Sequence, residues 1–263
     1  MPFPETPRVI YNKNPLREVI CQLRFPPILR IESSPADFQD MVRNEFPDFV
    51  QTSEVLAVGP SPFVAQIPVQ MASHISNLTK TVNYEFASED GAWKTNLTRD
   101  FVSLSASSYR HWETFREKLQ VPLHALIAVY KPRRFSRIGL RYVDVIQRST
   151  LDLDDVSWSE LLQPQVLGIL GSPDVANSVR AFRSSYELAL ENDQDSVRIV
   201  TSFWKNTENG ETCYVIDSDF FTSQPTPLEG ASEKLEYFNV RASRLIRWCI
   251  TERLHSAMEP TNI

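Results

Sequence analysis

The spacing of apolar and polar positions changes period several times along this chain, and each change marks an element. Residues 19–25 alternate with a period of two and predict a strand, which Pro26-Pro27 stops because neither residue can donate to a ladder. Ser33-Ser34-Pro35 then reads as a helix start, with Phe38, Met41, Val42 and Phe46 at helical spacing and Pro47 at the end. Residues 50–76 are interrupted by Pro60, Pro62 and Pro68 and predict short strands and loops. Three alternating stretches follow at 81–86, 93–98 and 101–105, with Asp90-Gly91 as a turn between the first two. Ser107-Ser108 offers a helix cap. Trp112, Phe115, Leu119, Leu123, Leu126 and Tyr130 then form one apolar helical face, and Pro122 is expected to kink or split that helix.

The pattern starts again after a linker at 132–134. A strand is predicted at about 136–147, and its Leu140-Arg141-Tyr142 echoes Leu23-Arg24-Phe25 at a distance of 117 residues. Asp152, Asp154 and Asp155 lead into Trp158, Leu161 and Leu162, a short helix whose early carboxylates suit an N-terminus. Residues 168–173 read as a loop. Alternation over 183–190, 197–204 and 212–220, with turns at Asn192-Asp193 and Asn209-Gly210, gives a second meander. A long helix over 232–258 closes the chain, with Leu235, Phe238, Ala242, Leu245, Cys249 and Ile250 on its apolar face. The prolines at 2, 4, 7 and 15 make residues 1–16 an extended arm.

The predicted fold class is therefore α+β in two similar halves. Each reads strand, helix, three-strand antiparallel meander, long helix. Residues 1–134 form an N-terminal unit carrying the Pro-rich arm, and 135–263 a C-terminal unit ending in the long helix. Internal duplication accounts for the shared order. Chance agreement of so simple an order is the rival reading, since few residues are identical between the halves.

Composition narrows the function. At 42% hydrophobic, a chain of 263 residues can bury a sizeable core without disulfides. A net charge of -6 argues against a dedicated binder of nucleic acid or anionic membrane, both of which need a basic footprint. No run approaches the ~20 apolar residues of a membrane span. Cys21, Cys213 and Cys249 lie far apart and form no CxxC pair, and Met1-Pro2-Phe3-Pro4-Glu5 has no basic or apolar leader character. The expectation is a cytoplasmic protein with buried free thiols. The sequons Asn77-Leu78-Thr79 and Asn96-Leu97-Thr98 carry no weight there.

Three stretches carry a resemblance: Asn14-Pro15-Leu16-Arg17-Glu18-Val19, Cys21-Gln22-Leu23-Arg24-Phe25, and Arg137-Ile138-Gly139-Leu140-Arg141-Tyr142. With Trp248-Cys249-Ile250-Thr251 near the end, the chain resembles throughout its length an uncharacterised, sporadically distributed bacterial protein family of about this size. Sporadic distribution implies mobile cargo, such as a phage-defence, CRISPR-associated or toxin–antitoxin operon. The resemblance implies a partner protein encoded in the same operon, and its motifs name no chemistry and supply no catalytic residues to carry over.

The residues agree that catalysis has no obvious carrier. His74, His111, His124 and His255 form no HExxH or HxH pair, no GxSxG elbow is present, and 7 glycines supply no phosphate-cradling loop. No cofactor is expected. Asp217 and Asp219 share a strand face and are the best carboxylate pair for a divalent metal, although two carboxylates make an incomplete oxygen shell. Arg241, Arg244 and Arg247 form a basic ridge on the last helix, for phosphate or an acidic partner, or else a solvated face balanced by glutamates. Arg24 and Arg141 point away from their apolar neighbours and would meet around a cleft between the halves. The alternative is an internal ion pair, for Arg141 with Asp144 or a meander carboxylate. The first expectation is a non-catalytic protein-interaction component. A nucleic-acid or nucleotide binder and a metal-dependent hydrolase built on Asp217 and Asp219 are the alternatives.

Overall fold

The computed structural model describes residues 3–54 and 81–262. Its centre is one antiparallel sheet of nine strands, ordered β3-β4-β5-β6-β2-β7-β10-β9-β8. The strands are β2 (Leu16–Arg24), β3 (Asp48–Glu54), β4 (Thr81–Ala87), β5 (Trp93–Leu97), β6 (Phe101–Ala106), β7 (Arg137–Ile146), β8 (Arg183–Ala189), β9 (Asp195–Lys205) and β10 (Thr212–Thr222). A second, two-stranded sheet joins β1 (Val9–Tyr11) to β11 (Pro260–Asn262). The predicted α+β class holds. His74, the first sequon at 77–79 and the strands expected beyond Glu54 in 50–76 lie outside the described residues.

Alternation decides what each face of the sheet does. Val19, Cys21 and Leu23 on β2 pair with Tyr142, Leu140 and Ile138 on β7, and all six are buried. They face the helices. The long helices α3 (Trp112–Tyr130) and α6 (Ala231–Cys249) bury Phe115, Leu119, Leu126, Leu235, Phe238 and Leu245 in the same core. Helix α3 lies over β6, and α6 over β7 and β10. Two shorter helices, α1 (Arg30–Ser33) and α2 (Ala36–Val42), precede β3, and α2 packs on α3. Helices α4 (Trp158–Leu161) and α5 (Pro164–Leu167) take the corresponding place after β7.

Several local expectations need correction. The helix at 112–130 passes through Pro122 without being split; Pro122 is buried among its apolar face. Its N-cap is His111, with extended φ of -133°, and not Ser107-Ser108. The short helix at 158 is capped by Ser157 in a capping box with Glu160, so the aspartates at 152–155 stand too early to cap it. The stretch 168–173 contains a 3₁₀ turn at Gly168–Gly171. The last helix is two. Ile250 is extended and bridges Leu162, and α7 (Glu252–Ala257) restarts under Thr251, whose Oγ1 accepts from the Leu254 N–H. Two consecutive β-branched residues, Ile250 and Thr251, favour the extended backbone that makes this break.

The arm also behaves differently from a free extension. Phe3 is 1% exposed and packs on Trp248 at 5.3 Å between ring centres. Arg8 grips Glu113 with two hydrogen bonds, of 2.9 and 3.2 Å. Residues 12 and 13 donate backbone bonds to the carbonyls of Glu259 and Met258. Replacing Phe3 with Ala is expected to lower stability by about 3 kcal/mol, the usual size for emptying a buried aromatic site, and to expose residues 3–16 to limited proteolysis. An unchanged cleavage pattern would show that the arm is held without it.

Candidate functional site

On the sheet face away from the helices, the sequence-predicted arginines and carboxylates stand together. Arg141 makes a two-point hydrogen-bonded pair with Asp217, at 2.7 and 2.6 Å, and both side chains are mostly buried. Asp144 sits on the opposite face by alternation, so the ion pair goes to the meander carboxylate. Arg137, which is not among the sequence candidates, binds Asp219 at 2.7 Å and lies over the Phe221 ring at 4.9 Å. Its guanidinium rests above Gly139, where a Cβ would come within 2.3 Å of Nη1, so glycine at that position opens the space. Arg24 lies directly across from Arg137, donates to Gln22 at 2.9 Å and faces the Phe101 ring at 5.7 Å. Arg24 and Arg141 therefore share a face without touching a common partner.

Electrostatics here are those of neutralised pairs. Burial opposes the Arg141 charge, but the hydrogen bond and charge of Asp217 outweigh it and raise the guanidinium pKa. Burial raises the Asp219 carboxyl, against the pull of Arg137 and Arg141. Oxygens of both aspartates already face guanidinium groups, which opposes a divalent cation in that place. Among the described residues no three His, Cys, Asp or Glu side chains come together as a metal site.

The basic ridge of α6 is likewise engaged. Arg241 holds Glu191 at 3.0 and 2.8 Å and covers the Tyr237 ring at 3.2 Å, and this holds Glu191 down to about 2. Arg244 reaches Glu5 at 3.3 Å, and Arg247 pairs with Glu252. These arginines tie the helix to the β8–β9 turn, the arm and α7. His255 accepts or donates one bond with the Tyr11 hydroxyl at 2.8 Å, and burial lowers its pKa.

The structure adds a site that sequence reasoning missed. A cavity of about 320 Å³ lies on the helix side, between the arm, the start of α3, β7 and the middle of α6. Its floor is Tyr142 and Asp144, both 7% exposed. Asp144 follows Leu140 and Tyr142 on the core face and precedes Ile146, so it puts a carboxylate where the alternation asks for an apolar side chain. The backbone holds it firmly, because the Val145 N–H donates to the Pro15 carbonyl at 2.8 Å and Leu16 stands opposite Asp144. The Tyr142 hydroxyl is occupied by Asn239 Oδ1 at 3.0 Å. Among the described residues no side chain hydrogen-bonds or ion-pairs the Asp144 carboxylate. Burial, with the Asp217 charge across the sheet, pushes its pKa up to about 7.

Comparison of the chain with protein-family models, curated proteins and solved structures finds no match in any of the three. The reading of the site rests on its chemistry. The signal for it was present in the strand pattern, as an acidic residue out of phase on β7. The cavity itself needed the arm to fold back, which no local pattern announces.

Two measurements follow. Arg141→Ala leaves Asp217 without its cation and is expected to destabilise by about 3 kcal/mol in urea unfolding. Replacing both residues with Leu should recover most of that loss, whereas a neutral single variant would show that the arginine is free for a ligand. The second concerns Asp144. The unfolded carboxyl ionises near 3.8 and the folded one near 7. Between those values the unfolded state releases a proton that the folded state keeps, so stability falls as pH rises through that window and is level above it. Tyr11, Tyr142 and Cys249 around it have raised pKa values and stay neutral there. Asp144→Asn should therefore be more stable than the parent at pH 8, by about 1–4 kcal/mol, with the difference vanishing near pH ~4. Thermal unfolding across pH reads it directly, and a pH-independent difference would contradict the assignment.

Proposed function

We propose that this chain is a non-catalytic binding protein that holds a small ligand in the cavity above Tyr142 and Asp144 and works as an accessory to a protein encoded beside it. The observation that carries the ligand half of this reading is the buried Asp144 carboxylate without a hydrogen-bond partner among the described residues. Such a group is stabilised by any donor that reaches it. The neighbouring polar groups are committed elsewhere, Tyr142 to Asn239 and Tyr11 to His255. On the outer sheet face Asp217 and Asp219 are held by Arg141 and Arg137, and neither carboxylate is left free there to act as a base. The partner half follows from the family resemblance, in which such a protein would serve a phage-defence, CRISPR-associated or toxin–antitoxin operon.

We infer also that the halves 1–134 and 135–263 arose by duplication. The reading is supported by the order of strands outward from the central pair, β6-β5-β4 beside β2 and β10-β9-β8 beside β7. It is supported too by register, since Gln22 pairs directly with Gly139, its counterpart at the offset of Leu23 and Leu140. Strand β3 is an addition to the first half.

Native mass spectrometry of the protein, purified after co-expression with the products of adjacent genes, tests both parts of the functional reading. Expected are a bound small-molecule mass that is lost in Asp144→Ala and co-elution with one neighbouring product. A protein that carries no ligand and elutes alone, or one that consumes the bound molecule, would sink the proposal.

A further inference from the structure

The cavity has two chemically different ends. Its floor presents two carboxylate oxygens, and those of Asp144 are met by no described side chain. Its rim is the N-terminus of α3, where Arg110 and His111 are exposed and neither side chain has a hydrogen-bond or ion-pair partner among the described residues. His111 is the N-cap of this 19-residue helix and its side chain makes no cap hydrogen bond, so the positive helix end can meet an anion through the first-turn N–H groups other than that of Glu113, which its own carboxylate takes. The rim alone would say little. With the buried, unmet carboxylate of the floor, it describes a ligand with donors at one end and negative charge at the other.

The arginines of the lining are themselves paired, Arg8 with Glu113, Arg244 with Glu5 and Arg247 with Glu252. A group with two parallel N–H donors meets both oxygens of the carboxylate as a guanidinium does, by two hydrogen bonds, where a simple amine offers a single nitrogen. Guanine offers such a pair on its Watson–Crick edge, at N1 and the exocyclic N2. Adenine offers N1 as an acceptor beside its amino group and would set a lone pair against the carboxylate. The walls suit a flat ring, because Tyr109 and Tyr142, edge to face at 6.1 Å, both line the space. A volume of about 320 Å³ admits one small ligand and not a polymer.

We propose that the cavity binds a guanine mononucleotide, with the Asp144 carboxylate accepting from the base and Arg110 and the α3 N-terminus meeting the phosphate. This rests on the ligand-binding reading above and specifies its ligand.

Isothermal titration of the full chain with GMP, AMP, guanosine and inorganic phosphate tests it. GMP is expected to bind at least ~10-fold more tightly than AMP, the discrimination that about 1.4 kcal/mol provides. Asp144→Asn should abolish the preference for guanine while leaving a folded protein, checked by its thermal transition. Arg110→Ala should weaken GMP and leave guanosine unchanged. Equal binding of GMP and AMP, GMP affinity unaltered in Asp144→Asn, or no binding of either guanine compound would overturn the assignment. If native mass spectrometry shows another molecule held through Asp144, the guanine assignment fails and the general ligand-binding reading stands. If no molecule is held, both fail.

Discussion

The pairing of β2 with β7 is the interaction on which the architecture depends. It joins two stretches more than a hundred residues apart, at the middle of the nine-stranded order. Without it each meander ends in an apolar strand with one open edge, and Val19, Cys21 and Leu23 lose the side chains beside them. With it the sheet is continuous. The two long helices then lie on one face, close enough for the Trp112 indole N–H to donate to Glu236 at 2.6 Å. One core cluster runs through both halves, from Phe38 and Phe86 to Phe220 and Leu254. The register also assigns every side chain near the centre to a face. A slip of one residue would send Arg141 into the core and Tyr142 out of it.

That assignment produces two polar environments of different character. On the outer face cations and carboxylates meet in pairs, Arg141 with Asp217 and Arg137 with Asp219, and their charges are balanced within the chain. On the inner face a single carboxylate is buried without a described partner. Arginine is suited to the first environment because its planar fork satisfies both oxygens of a carboxylate at once. Aspartate in the second is satisfied only by taking up a proton or by a donor from outside the chain, and its pKa of about 7 reflects that choice. The outer face reads as structure, and the inner one as a place prepared for something else.

Much of this was legible in sequence, because most of the elements are set by local periodicity. The meander strands, the turns at Asp90-Gly91 and Asn209-Gly210, and the apolar faces of both long helices emerge from spacing alone. Gly91 and Gly210 adopt the positive φ that such turns require, at 66° and 72°. What was not legible depended on contacts distant in the chain. The break at Ile250 requires Leu162 as a bridge partner, and the helical period of Leu245 and Cys249 gives no warning of it. Asp144 is close enough in sequence to suggest itself as a partner for Arg141, although alternation alone places the two on opposite faces. The α6 arginines read either as a basic ridge or as a face balanced by glutamates, and of the partners they take, Glu191 and Glu5 come from distant parts of the chain.

The arm is the least predictable part and has the largest effect on the site. A proline-rich stretch lacks the backbone donors for regular structure, and taken alone it has no reason to settle. Here it is fixed at several points of different kinds: Phe3 under Trp248, Arg8 on Glu113, Tyr11 on His255, and β1 on β11. These anchors lie on α6, α3, α7 and the C-terminal strand, so the arm forms a wall of the cavity only once both halves are assembled. The site therefore belongs to neither half. Asp144 comes from the second, Arg110 and His111 from the first, and the arm that encloses them is held by the last residues described. A leucine or valine at position 144 would continue the apolar face of Leu140 and Ile146 and remove the carboxylate's desolvation. Local pattern and burial disagree there, within an otherwise consistent strand, and a disagreement of that kind at the floor of a cavity points to binding as its compensation.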